Sequence, residues 1–147
     1  VHFTVIGEGD DRGRLEALAE DVGVTDRVDF LGRVSDQRLQ QAFDEADAFV
    51  MPSSGEGFGL VYVEAMANRL PCIASPEGGA QYVVRDGVSG LMAEWGRPEA
   101  IAEALVELSD PDRYEAFSRR ARREFEQRFT YARFREDLDA ILARRLA

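Results

Sequence analysis

Short apolar runs alternate with amphipathic segments along most of the chain, and this alternation limits the possible folds more than any other feature. The apolar runs are predicted to be strands, at residues 1–7, 27–32, 48–52, 71–75 and 90–94. Apolar residues at helical spacing predict helices over 12–23, 35–47, the second half of 52–71, and most of 97–147. Strands that alternate with helices in this way are typical of repeated βαβ units, in which helices cover both faces of a parallel sheet. The predicted class is therefore α/β.

The composition fits one compact domain over residues 1–147. The chain has 147 residues, of which 45% are hydrophobic, enough for a sizeable core. Its single cysteine, Cys72, lies in an apolar run and is predicted to pack as a small hydrophobe. The formal net charge of −10 argues against nucleic-acid binding, because proteins that track phosphates need a positive face. With no apolar run long enough to cross a membrane, we expect a cytoplasmic protein.

Ligands of open parallel sheets bind at the carboxyl ends of the strands, so the loops after the strands are the candidate sites. The first such loop, GEGDDRG, places Gly7, Gly9 and Gly13 close to a dinucleotide-binding fingerprint. Its third glycine is displaced by one position, and Asp10 and Asp11 would repel a pyrophosphate at the helix N-terminus. A tight structural turn is the favoured interpretation, with nicotinamide-dinucleotide binding as the alternative.

The loop after the third predicted strand, within PSSGEGFGLVYVEAMANRLP, is the stronger candidate. Because Gly57 and Gly59 have no Cβ, a ligand can approach the backbone there within hydrogen-bonding distance. The amides of Gly59, Leu60 and Val61 would be first-turn donors without a partner in the helix, which is the usual setting for anion binding.

Two glutamates flank this predicted anion site. Glu64 lies four residues after Leu60, roughly 6 Å further along the same helical face, a suitable distance between a phosphate and the attached ribose. Glu56 lies on the other side of the phosphate position, where the rest of the ligand would project. The alternatives are that Glu64 is a solvated helix residue and that Glu56 only complements the helix dipole. A glycosidase-like pair of carboxylates is a third alternative.

The sequence resembles the retaining glycosyltransferases of the GT-B fold, specifically glycosyltransferase family 4. In that family two glutamates separated by seven residues follow a strand that ends in Pro-Ser, as in this chain. The likeness extends in order over VIGEGD, VDFLGRVSD, ADAFVMPSSGEGFGLVYVEAMANRLPCIAS, EGGAQYVVRDGVSGLMAE and RFTYARFREDL. The resemblance implies the C-terminal, donor-binding half of such an enzyme, a Rossmann-like parallel sheet with helices on both faces.

The resemblance also implies a role for each part of the motif. Glu64 would bind the ribose hydroxyls of the nucleotide, and the backbone around Gly59, Leu60 and Val61 would hold the diphosphate. The catalytic candidate is Glu56. Together with the amides of Gly57 and Phe58, it would contact the hydroxyls of the donor sugar and orient that sugar for transfer.

Two further turns have counterparts in the family. Gly32, Arg33 and Val34 would lie against the nucleotide base, mostly through backbone atoms, and Gly78 and Gly79 match a glycine pair on the next loop. The donor would be a UDP-, GDP- or ADP-sugar. No metal or other cofactor is expected, because a nucleoside diphosphate is a good leaving group and helix dipoles can stabilise its charge.

The acceptor, a glycan, a lipid or a small molecule, would bind the N-terminal half, which the sequence lacks. The leading hypothesis is a retaining hexosyltransferase that is inactive as this fragment alone, and the alternative is a non-catalytic sugar-nucleotide-binding module. The arginine-rich tail suggests an additional peripheral association with the inner face of a membrane.

The sequence departs from the family at three places. It has Arg69 where the family usually has glycine at the end of a helix, and Gln81 and Tyr82 where the family has Pro-Glu. The first strand of the family's sheet also has no counterpart here. In a 3-2-1-4-5-6 sheet that strand is central, so we expect strands 1–7 and 48–52 to lie two strand spacings apart, roughly 10 Å. Upstream residues would fill that gap.

Overall fold

A computed structural model describes residues 1–146, and its order of elements is the predicted α/β alternation. The strands are β1 (Phe3–Ile6), β2 (Val28–Gly32), β3 (Phe49–Met51), β4 (Cys72–Ala74) and β5 (Gly90–Met92). The helices are α1 (Arg12–Asp21), α2 (Asp36–Glu45), α3 (Leu60–Ala67), α4 (Ala80–Val83), α5 (Pro98–Leu108), α6 (Pro111–Arg128) and α7 (Tyr131–Leu146). A single 3₁₀ turn, Thr25–Arg27, precedes β2. All five predicted strands are confirmed, whereas the short helix α4 was not predicted.

The strands form two parallel sheets, and the chain divides into two compact units. The first unit, Val1–Glu45, contains a β1–β2 pair, and the second, from Ala46 onward, contains a β3–β4–β5 sheet. All three ladders are parallel, as the alternation predicted. Among the described residues β1 and β3 share no ladder, and the expected strand order across the two units stays a prediction. The spacing of roughly 10 Å between them stays a prediction.

In the second unit, helices cover both faces of the sheet. Side chains alternate between the faces of a strand, so Ile73 points away from its neighbours Cys72 and Ala74. Ile73 belongs to a buried cluster with residues of α5 and α6, namely Ala104, Leu108 and Phe117. Cys72 points to the other face, where its thiol lies 3.9 Å from the carbonyl oxygen of Tyr62 in α3. This unit therefore has the predicted architecture of helix, sheet and helix.

Helix α7 exposes its described side chains, including apolar ones. Tyr131, Phe134, Leu138, Ile141 and Leu142 are between 41% and 79% exposed. Their spacing places them along one stripe of the helix. Within residues 1–146, no helix is both long enough and apolar enough to cross a bilayer.

Candidate functional site

The N-terminus of α3 leaves its first amides without a side-chain cap. Gly59 precedes the helix in the left-handed region, at φ +83°, and no side chain accepts a hydrogen bond from the first turn. A Cβ at Gly59 would lie 2.5 Å from Cδ2 of Tyr62, so only glycine fits here. The first intrahelical bond joins the amide of Tyr62 to the carbonyl of Gly59, at 3.0 Å. The preceding amides therefore have no side-chain partner, and anion binding there stays a prediction.

A second segment packs directly on the loop between β3 and α3, residues 52–59, which we name the Glu56 loop. The amide of Gly79 donates to the carbonyl of Glu56 at 2.8 Å. A Cβ at Gly79 would lie 2.3 Å from the carbonyl oxygen of Gly57 and 2.6 Å from Cα of Phe58. Gly78 is similarly close, because its Cβ would lie 2.8 Å from the carbonyl oxygen of Glu56. The Gly78–Gly79 pair, known from the sequence only by resemblance, thus forms a wall against this loop.

The two glutamates differ in environment. Glu64 is exposed on α3, as is Leu60 one turn earlier, whereas Tyr62 and Met66 are buried on the opposite face. Glu56 is half-buried. Neither carboxylate forms an ion pair with the described residues, although many other acids of the chain pair with arginine. Both are therefore free to accept hydrogen bonds from a ligand.

Tyr62 links β3 to α3 at the base of the Glu56 loop, a role that could not be predicted from one aromatic residue in an apolar strip. Its hydroxyl donates to the carbonyl of Met51, the last residue of β3, and its ring meets Phe49 edge-on at 5.5 Å. Burial, and then the neighbouring Cys72 and Glu56, raise the pKa of Tyr62 to about 12. The hydroxyl is therefore a permanent donor at neutral pH.

The turn predicted to contact a base belongs to the first unit. Gly32 is buried with φ +65°, and a Cβ there would lie 3.1 Å from Nη1 of Arg12 and 3.3 Å from Oε1 of Glu8. Arg33 is 88% exposed and 3.8 Å from the Glu8 carboxylate, and Val34 is half-buried. A cavity of about 660 Å³ lies between α1 and β2, but no predicted site residue lines it. It therefore gives no support to the predicted base contact.

The GEGDDRG loop lacks the packing that a dinucleotide fingerprint requires. The third glycine of that fingerprint allows close contact between helix and strand, yet nothing lies within 4 Å of a Cβ built at Gly13. Asp11 pairs with Arg14 at the start of α1, and this contact lowers the pKa of Asp11. The favoured interpretation, a structural turn, agrees with this geometry.

No group of three or more His, Cys, Asp or Glu side chains in residues 1–146 is arranged to hold a metal ion. At the first departure from the family, Arg69 adopts φ +65°, the left-handed region that glycine favours. At the second, the Gln81 side chain donates to the carbonyl of Gly78 at 3.0 Å and so supports the glycine wall.

Known proteins resemble this chain in sequence. A model of the family described as "Glycosyl transferases group 1" matches residues 1–124. The D-inositol 3-phosphate glycosyltransferase of Streptomyces griseus is 43% identical over 96 residues, covering 65% of this chain and 20% of that protein. The lipopolysaccharide core biosynthesis glycosyltransferase LpsE of Rhizobium meliloti is 38% identical over 108 residues, covering 74% of this chain and 31% of that protein. The chain thus spans less than a third of either relative.

Solved structures agree with the fold. Sucrose-phosphate synthase of Thermosynechococcus elongatus matches with a TM-score of 0.84 and 29% identity, over 97% of this chain and 38% of that one. HepE of Anabaena, solved in complex with UDP-glucose, matches with a TM-score of 0.84 and 26% identity, over 97% of this chain and 41% of that one. These neighbours have the GT-B fold, and the chain agrees with its C-terminal half. Together with the match over residues 1–124, this shows that the chain belongs to the group 1 glycosyl transferases.

Proposed function

We propose that the chain is the donor-binding half of a retaining family 4 glycosyltransferase, which transfers a sugar from a nucleoside-diphosphate sugar to an acceptor hydroxyl. One observation carries the proposal. Two carboxylates without ion pairs, Glu56 and Glu64, flank an uncapped helix N-terminus whose loop packs against a glycine wall. A sugar nucleotide has an anion at its centre and hydroxyl groups at both ends. The helix N-terminus would bind the anion, and the two carboxylates would accept hydrogen bonds from the hydroxyl groups.

Each end of the donor has a complementary group. The diphosphate would accept hydrogen bonds from the uncapped amides of Leu60 and Val61, where the helix dipole also favours negative charge. Glu64, one turn further along the exposed face, would accept hydrogen bonds from the ribose hydroxyls. Glu56 would accept from the sugar hydroxyls on the other side. The predicted base contact at Gly32, Arg33 and Val34 remains part of the proposal.

Catalysis in this proposal relies on positioning and charge stabilisation. As the bond to the sugar breaks, negative charge develops on the diphosphate, and the amides at the start of α3 stabilise it. Positive charge develops on the sugar, and the half-buried carboxylate of Glu56 stabilises that charge. The acceptor hydroxyl would attack from the face that the diphosphate leaves and give its proton to the departing diphosphate, which retains the anomeric configuration. The proposal assigns no part in these steps to a metal ion.

The binding half of the proposal is tested by titrating the complete protein with nucleoside diphosphates and their sugar conjugates. UDP-glucose, the ligand of HepE, is the first to test, followed by ADP- and GDP-sugars. We expect Glu64→Gln to weaken nucleotide binding by roughly 1–3 kcal/mol, the range for a hydrogen bond to a charged group. Glu103→Gln, which changes an exposed carboxylate of α5, is the matched control. Normal nucleotide binding by Glu64→Gln would contradict the ribose assignment.

The catalytic half is tested by turnover in the complete protein. Glu56→Gln should lower kcat more than it weakens nucleoside-diphosphate binding, because the partner of Glu56 is the sugar in the transition state. Equal losses would instead indicate that Glu56 only shapes the loop. The anomeric configuration of the product, read by NMR, tests retention, and an inverted product refutes it. Donor binding without any transfer or hydrolysis would favour the alternative, a non-catalytic sugar-nucleotide-binding module.

The acceptor would bind outside this chain, in the remaining two thirds or more of a protein as long as its relatives. Peripheral membrane association through the arginine-rich tail has less support. Several of those arginines are ion-paired within their own helices, as in Arg122 with Glu126 and Arg133 with Asp137. Sedimentation with anionic vesicles tests this association, and an unbound protein excludes it.

A further inference from the structure

We propose that the C-terminal end of α6 positions the sugar-binding side of the donor site, through Arg128 and Phe129 together with Glu124. We name these three residues the α6 clamp. None of them belongs to the two-glutamate motif, although Arg128 and Phe129 begin the matching stretch RFTYARFREDL. The inference rests on the proposed function, and it concerns which residues hold the Glu56 loop and the glycine wall in place.

Arg128 holds the helix that carries the glycine wall. Its guanidinium donates to the carbonyl of Tyr82 at 2.5 Å and to that of Val83 at 3.3 Å. These carbonyls lie at the end of α4, where no intrahelical donor is available and a cation is favourable. The other end of this four-residue helix is Gly79, whose amide donates to Glu56. Arg128 is therefore connected to the Glu56 backbone through one short helix.

Phe129 reaches the Glu56 loop by a second route. Its ring lies 4.6 Å from the Arg128 guanidinium, and it meets the ring of Phe58 at 6.5 Å with an interplanar angle of 77°. Phe58 is 48% exposed and lies between Gly57 and Gly59 in the Glu56 loop. A loop with glycine on both sides of a residue has few internal restraints. The edge-on contact with Phe129 supplies one.

Glu124 fixes the orientation of the clamp. It is only 6% exposed and accepts hydrogen bonds from Arg128 at 2.8 Å and from Arg85 at 3.0 Å. A buried carboxylate is tolerated when it is paired in this way. Arg85 lies just beyond α4, so Glu124 ties both the end of that helix and Arg128 to α6. Glu124 thereby helps to hold the guanidinium of Arg128 over the Phe129 ring, with Cζ 4.6 Å from the ring centroid.

A purely structural role would stabilise the fold without affecting one part of the donor more than another. A positioning role makes a narrower prediction, because the loop and wall contact the sugar whereas the start of α3 binds the diphosphate. Phe129→Leu keeps the apolar bulk and the ion pairs but removes the ring contact with Phe58. It should therefore change the affinity for a sugar nucleotide relative to that for the free nucleotide.

The matched control is Phe125→Leu, one turn earlier on α6. There, Arg122 lies 5.3 Å from the Phe125 ring and donates to the carbonyl of Ala67 in α3. The control removes the same type of ring and cation pair, but not a ring contact with the Glu56 loop. Arg128→Lys is a second test, since lysine keeps the charge but lacks the planar fork that reaches both Tyr82 and Val83.

The experiment measures the Kd of the complete protein for UDP and for UDP-glucose. If the protein binds adenine or guanine nucleotides instead, the pair is ADP with an ADP-sugar or GDP with a GDP-sugar. We expect Phe129→Leu to weaken sugar-nucleotide binding by about three- to tenfold relative to free nucleotide, the scale of one aromatic pair. Arg128→Lys should shift the same ratio in the same direction, and Phe125→Leu should leave it unchanged. An unchanged ratio in Phe129→Leu, or an equal shift in Phe125→Leu, overturns the α6 clamp while leaving the proposed function intact. Failure of the wild-type protein to bind any of these pairs overturns both.

Discussion

Replacement of Arg69 by glycine is expected to stabilise the second unit, because Arg69 occupies a backbone position that suits glycine. Helix α3 ends with two bonds, from the amide of Arg69 to the carbonyl of Met66 and from that of Leu70 to the carbonyl of Ala65, both at 3.0 Å. This is the Schellman arrangement, in which the residue after the C-cap is left-handed and is usually glycine. Arg69, at φ +65°, is the one non-glycine residue with positive φ among residues 1–146.

The magnitude follows from three terms. The left-handed conformation costs a residue with a Cβ roughly 1–2 kcal/mol, which glycine avoids. Glycine also makes the unfolded chain more flexible, which lowers the stability of the glycine variant by roughly 0.4–1 kcal/mol. The Arg69–Glu115 ion pair, at 3.6 Å with both side chains about half exposed, contributes at most a few tenths of a kcal/mol, and Glu115 retains Arg119 as a partner at 3.2 Å. With the middle of each range, the net gain is about 0.6 kcal/mol.

Urea denaturation followed by far-ultraviolet circular dichroism measures this gain as a higher midpoint with an unchanged slope. Arg69→Ala is the control, because it removes the ion pair but keeps the Cβ, and it should be neutral or slightly destabilising. Arg69→Asn should fall between the two, since asparagine tolerates the left-handed region. A glycine variant no more stable than the alanine variant would refute the reasoning from backbone conformation.

Two further predictions concern the glycine wall and the tyrosine beneath it. Gly79→Ala places a methyl group 2.3 Å from the carbonyl oxygen of Gly57, so the Glu56 loop has to move, and titration should show at least about a tenfold loss of sugar-nucleotide affinity. Gly55→Ala, where nothing lies within 4 Å, is the control, and equal affinities in the two variants would contradict the close packing. Burial raises the pKa of Tyr62 to about 12. The free energy of unfolding should therefore be unaffected by this group below pH 10 and fall by up to about 3 kcal/mol as the pH rises towards 12. Urea midpoints of wild type and Tyr62→Phe should show this, and parallel declines in the two proteins would count against it.

The local parts of the fold and site could be predicted from the sequence, because they depend on residues close together in the chain. The alternation of apolar runs with helical patterns predicted every strand, and Gly59 before an apolar run predicted the start of α3. The two carboxylates could be found for the same reason. The resemblance to the family pointed to the Gly78–Gly79 pair, but not to its packing against the Glu56 loop.

The contacts between distant segments could not be predicted in this way. That Gly79 touches the backbone of Gly57, and that Phe129 touches Phe58, depends on how α4 and α6 pack in the second unit. No spacing within the sequence encodes that packing. The division into two units was also unforeseen, since overall composition does not report where contacts along a chain become sparse. Arg69 is an intermediate case: its departure from the family was visible, but its left-handed conformation was not.

The hydrogen bond from Tyr62 to the carbonyl of Met51 has a consequence for the entropy of ligand binding. It joins the last residue of β3 to the first turn of α3, so the Glu56 loop is closed at its base before any ligand arrives. The ends of the loop are therefore already held together in the folded protein, so ligand binding does not lose the entropy of closing the loop. A ligand has to order only the tip around Glu56 and Phe58, which leaves more of its contact energy available as affinity.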